Sequence, residues 1–79
     1  MDNNNKNLKK ERVHGFWVEF DEKAEPTVHY LQGHLDFNEV RTYFDEARKR
    51  GFADFEDRQG INWRLTCNRQ SGTFTLVHR

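Results

Sequence analysis

The amino-acid sequence predicts an α+β fold: β-β-α-β-β-β, one antiparallel sheet with a single helix packed on one face. Three observations predict it. Apolar and polar residues alternate strictly through Ile61–Asn68 and Thr73–His78, the period of a strand with one buried and one wet face. Phe16, Val18 and Phe20 alternate in the same way near the N-terminus. Between these runs Phe37, Val40, Phe44 and Ala47 recur at helical spacing. A helix with one apolar stripe and a sheet with one apolar face bury each other in two layers.

Residues 1–11 are polar, Asn-rich and without period, so a disordered tail is expected there and a single small domain over 12–79. Val13–Phe20 reads as the first strand, with Trp17 and Glu19 on the face opposite Phe16, Val18 and Phe20. Asp21–Pro26 reads as a turn, and Thr27–Gln32 as a second strand, because Pro26 suits a strand entry. By parity, Val28 and Tyr30 then point inward and His29 and Leu31 outward.

The helix is expected over 37–50. Asp36 is the N-cap with Glu39 three residues later; Arg48, Lys49 and Arg50 complement the dipole in the last turn; Gly51 supplies the left-handed C′ residue. Phe52 would then rest on Ala47. Ala53–Glu56 is a short strand whose inner residues pair Phe55 with Ile61 and Ala53 with Trp63 across an odd loop. In the closing hairpin Arg69–Gly72 provides turn residues. An even loop there pairs Cys67 with Phe74, Leu65 with Leu76 and Trp63 with His78; an odd loop would set the apolar row against the polar one.

Composition excludes several classes. Only 34% of the 79 residues are hydrophobic, whereas 14% are aromatic, which implies a small, aromatic-rich core. Thirteen basic and thirteen acidic residues cancel, so long-range steering toward nucleic acid or an anionic membrane is not expected from the whole molecule. The single cysteine, Cys67, excludes an internal disulfide and points to a reducing compartment. With no apolar run long enough for a membrane span and no signal-peptide core, the expected address is the cytoplasm.

Candidate sites are few. The outer sheet face would present Trp17, His29, Leu31, Arg64, Thr66, Thr75 and Val77, an aromatic and an arginine amid polar residues, as at an interface hot spot. The blander reading is that a homodimer partner or the tail covers Trp17, or that Trp17 is core. A nucleic-acid surface would use Lys9, Lys10, Trp17, Arg64 and Arg69, but a stacking platform needs more than one exposed aromatic.

His14, His29, His34 and His78 lack zinc-module spacing, and as strand residues His14 and His29 would face opposite sides; no metal and no cofactor is expected. Cys67 falls on the apolar row, two pairs from His78, which leaves no nucleophile beside a base. The Arg41–Asp45 pair and its charged neighbours read as the wet side of the helix. The reading is a small non-enzymatic module that binds another protein, or itself, through the outer sheet face or an edge strand. A nucleic-acid-binding accessory protein is the alternative.

Overall fold

A computed structural model of the chain describes residues 8–33 and 35–79. Strands β1 (Lys9–Val13) and β2 (Phe16–Phe20) precede a 3₁₀ turn (Glu22–Ala24), helices α1 (Glu25–Gly33) and α2 (Phe37–Arg50), and strands β3 (Phe52–Glu56), β4 (Asn62–Asn68) and β5 (Thr73–His78). The fold is α+β, with five strands in the order β1-β2-β5-β4-β3 and two helices. The expected single helix and all-antiparallel sheet are therefore corrected: β2 and β5 run parallel, and every other neighbouring pair is antiparallel.

The second helix lies where a strand was expected. Two alternating residues, Val28 and Tyr30, are too short a signal, and the stronger period includes the flanks. Ala24, Thr27, Val28 and Leu31 are all buried, at helical spacing. Pro26 sits in the first helical turn, where its missing N–H costs nothing. Asp21 starts the segment by accepting the Lys23 N–H at 2.9 Å and, through its backbone carbonyl, the Ala24 N–H at 2.7 Å. Leu31 consequently points into the core instead of outward.

The expected first strand is a hairpin. His14 and Gly15 both take positive φ, 50° and 90°, which marks the two-residue turn that fits strand twist. Val13 pairs with Phe16, and β1 extends back to Lys9, inside the stretch expected to be tail; residues 1–7 lie outside the described residues. Charged residues conceal this strand's alternation, and α1 secures it. Gln32 Nε2 donates to the Arg12 carbonyl at 2.9 Å and to Glu11 Oε1 at 3.1 Å, and His14 Nε2 donates to the Leu31 carbonyl at 3.1 Å.

Helix α2 and the closing hairpin match expectation. Asp36 accepts the Asn38 N–H at 3.2 Å, and Gly51 (φ 92°) closes α2 with its N–H on the Ala47 carbonyl at 2.8 Å. Phe37, however, is 47% exposed, too early in the helix to reach the sheet, and rests edge-on against His14. Phe52, the first residue of β3, pairs with Thr66 and by parity faces outward, its ring beside Arg50 and Arg64. In β4–β5, Cys67 pairs with Phe74, Leu65 with Leu76 and Trp63 with His78.

The β3–β4 register is shifted by two residues from the expected one: Phe55 pairs with Trp63 and Ala53 with Leu65. Ile61 belongs to the turn, where Asp57 accepts the N–H groups of Gln59 (2.9 Å) and Ile61 (3.0 Å). A shift of two preserves parity, so the inner row stays apolar. Both helices lie on that inner row, and Phe44 of α2 stacks on Phe16 (4.3 Å) and meets Phe74 edge-on (4.6 Å).

Candidate binding face on the outer sheet

With the helices on one side, no helix or loop among the described residues covers the opposite face of the sheet, and register determines what it shows. Lys10, Glu19, Thr75, Thr66 and Phe52 form one continuous row across the five strands. Arg12 and Trp17 form a pair on one side of this row; Val77, Arg64 and Asp54 line up on the other. Thr66 donates its hydroxyl to the Thr75 carbonyl at 3.3 Å, which fastens the centre.

Two aromatic rings flank this face, each beside two cations. Trp17 is 43% exposed, with Lys10 Nζ 5.5 Å and the Arg12 guanidinium carbon 4.9 Å from its ring centroid. Phe52 lies under Arg50 (4.8 Å) and Arg64 (4.5 Å). Such contacts hold long cationic side chains flat along a surface and limit the entropy they lose when a partner arrives. From β2 to β3, three strand spacings and one two-residue step separate the Cα atoms of Trp17 and Phe52 by roughly 16 Å.

Arg64 is also oriented by Asp54. Nε and Nη2 donate to its two carboxylate oxygens at 2.8 and 3.1 Å, and Arg79 approaches within 3.5 Å. The Arg64 hydrogen bonds hold the Asp54 carboxyl below its ordinary range against partial desolvation. Counting Lys10, Arg12, Arg50, Arg64 and Arg79 against Glu19, Glu46 (the ion-pair partner of Arg50), Asp54 and Glu56 leaves an excess of one positive charge, carried by Lys10 and Arg12 beside Trp17, although the chain as a whole is neutral.

The expected site residues divide in two. Trp17, Arg64, Thr66, Thr75 and Val77 share the outer face; His29 and Leu31 do not, because α1 carries them beneath the sheet, His29 exposed and Leu31 buried. Arg69 is not aimed at a partner: its Nη2 donates to the carbonyls of Arg48 (3.2 Å) and Lys49 (3.1 Å), closing the C-terminus of α2. Lys9 forms an ion pair with Glu25 at 2.7 Å. Cys67 is half-buried on the inner side. His34 lies outside the described residues.

Sequence reasoning missed Arg12, Arg50 and Phe52. Arg12 falls in step with Lys10 once the strand is extended back from Val13, and Phe52 is outward by parity with the inner Ala53 and Phe55. A further missed residue, Asp57, accepts from Trp63 Nε1 (2.9 Å) and Thr27 Oγ1 (3.4 Å) in addition to its loop N–H groups. Partial burial pushes this carboxyl up, but its donors, Trp63 first, outweigh that and hold it below the usual range.

At the end of the sheet an open groove of about 680 Å³ is lined by Leu8, Ala24, Ile61, Trp63 and Val77. No helix among the described residues is long and apolar enough to cross a membrane. No family model matches the chain, and neither a curated protein nor a solved structure matches it.

Proposed function

We propose that this chain is a small non-enzymatic module that binds a partner protein through the outer face of its sheet, with Trp17 as anchor and an acidic partner segment as counterpart. The observation that carries this reading is a sheet face left uncovered among the described residues, on which an exposed Trp17 lies between the cations Lys10 and Arg12. Trp and Arg dominate interface hot spots because each combines a large contact area with a polar handle. The potential nucleophile and acid are otherwise engaged: Cys67 packs beside the core, and the Asp57 carboxylate is occupied by structural donors.

The test is differential capture from the source cells with wild-type, Trp17→Ala, Arg64→Ala and Lys49→Ala baits, followed by titration of the purified partner. The partner should be lost from the first two variants and kept by the third, which changes the opposite side of the molecule. A profile unaffected by both outer-face substitutions refutes the reading, and self-association abolished by Trp17→Ala would identify a second copy of the chain as the partner.

A second reading is single-stranded nucleic acid, and Phe52 is the observation that favours it. Two rings flanked by cations, with threonine hydroxyls between, resemble the stacking surfaces of sheet-type nucleic-acid binders. Oligonucleotide binding should quench Trp17 and weaken steeply with added salt. Unchanged fluorescence at low salt removes this reading.

A further inference from the structure

We propose that Glu11, Glu25 and His29 form a binding site for a divalent transition-metal cation of the zinc type, which would tie β1 to α1. One carboxylate oxygen from each glutamate and one imidazole nitrogen lie within 4.8 Å of one another. The site is separate from the outer face and does not depend on what that face binds.

The fold assembles the set in a way that sequence parity concealed. Glu25 and His29, four apart, share one side of α1, and His29 Nε2 lies 3.8 Å from Glu25 Oε2. Glu11 is on the inner parity of β1, opposite Val18, and so faces α1. In a strand over 27–32 His29 would face away from this side; the helix brings it back.

The donor chemistry selects the ion. Two carboxylates and one imidazole suit zinc, which takes nitrogen and oxygen donors at about 2.0–2.2 Å and, with three protein ligands, keeps a fourth position for water. Tetrahedral bonds of that length place donors about 3.4 Å apart, so the three must close by roughly an ångström. Long glutamate side chains make that movement by rotation alone. Glu11 is held in place: Gln32 Nε2, itself bonded to the Arg12 carbonyl, donates to Glu11 Oε1 at 3.1 Å, the kind of support that orients a ligand.

One of the three ligands already pairs with a cation. Lys9 Nζ lies 2.7 Å from Glu25 Oε1, and Glu22 adds a further negative charge nearby. The ammonium balances the carboxylates in the absence of metal and must swing aside when a dication enters. Lys9 is thus a competitor, and its removal has the opposite effect to removing a ligand.

Isothermal titration of the tag-free full-length chain with zinc chloride at neutral pH tests this, alongside His29→Ala, Glu11→Gln, Lys9→Met and, on β5, His78→Ala, each checked for native circular dichroism. One zinc per chain is expected, weakened at least roughly tenfold by His29→Ala and by Glu11→Gln. Lys9→Met should tighten it, and His78→Ala should leave it unchanged. In nuclear magnetic resonance the His29 ring resonances should shift on saturation. Absence of binding in both wild type and Lys9→Met overturns the proposal, as does binding that survives His29→Ala or is lost with His78→Ala.

Discussion

Replacing Leu31 by alanine separates the two conformations open to residues 27–32. In a strand Leu31 would lie on the wet face, and its truncation would change stability by no more than about 0.5 kcal/mol. In α1 it is 1% exposed. Loss of three carbons at about 0.8 kcal/mol each gives about 2.4 kcal/mol. A residual void near 50 Å³ adds about 1.2 kcal/mol at about 24 cal/mol per Å³, for a total of about 3.6 kcal/mol. A chain of 79 residues has a total stability of roughly 4–12 kcal/mol, so the variant should sit close to its unfolding threshold. The assay is urea unfolding followed by circular dichroism, with His29→Ala on the exposed side of the same helix as reference. The midpoint should fall sharply at constant slope, and the melting temperature by roughly 14–29 °C. A loss below about 1 kcal/mol would refute the packing of α1 and the core derived from it.

The remaining predictions use the same preparation. Iodide should quench Trp17 strongly and Trp63 weakly, since they are 43% and 6% exposed; equal quenching contradicts the assignment of faces. Trp17→Ala should leave the unfolding midpoint nearly unchanged while abolishing partner capture, whereas a large stability loss would make Trp17 a core residue. Asp57→Ala strips the bond from the buried Trp63 indole and should cost about 2–4 kcal/mol by urea titration. Because the folded Asp57 carboxyl lies below its unfolded value near 3.9, its contribution is present above that pH and lost as pH falls through the lower folded value. The gap between wild type and Asp57→Ala should therefore be constant at neutral pH and close in acid; a gap that widens in acid contradicts the sign. Gly51→Ala should cost about 1–2 kcal/mol, all of it conformational, since φ is 92° and no atom lies within 4 Å of an added Cβ.

The candidate site was legible where parity alone decided it. Trp17, Arg64, Thr66, Thr75 and Val77 are outward because each neighbours an inward apolar residue along its strand, a relation that needs no tertiary knowledge. Leu31 and His29 were misplaced because Val28 and Tyr30 offer only two alternating positions, and a run that short satisfies helix and strand equally. The C″ position of Phe52 predicts a cap contact, but the first residue of a following strand obeys strand parity once pairing begins.

The sequence by itself determined the elements whose signals are local: α2, with Asp36 at one end and Gly51 at the other, and the β4–β5 register, where only an even loop keeps Cys67, Leu65 and Trp63 on the apolar side. Tertiary structure decided the rest. Strand β1 is mostly charged and exists because β2 supplies its hydrogen bonds and Gln32 its anchor. Strand β5 is central and parallel to β2, as its uncharged outer row of Thr73, Thr75 and Val77 allows, while charged β1 and β3 take the edges. The same packing brings Trp17 and Phe52 onto one face and Glu11, Glu25 and His29 into one cluster. Local physics reads neighbours along the chain, and these groupings are made only between segments distant in it.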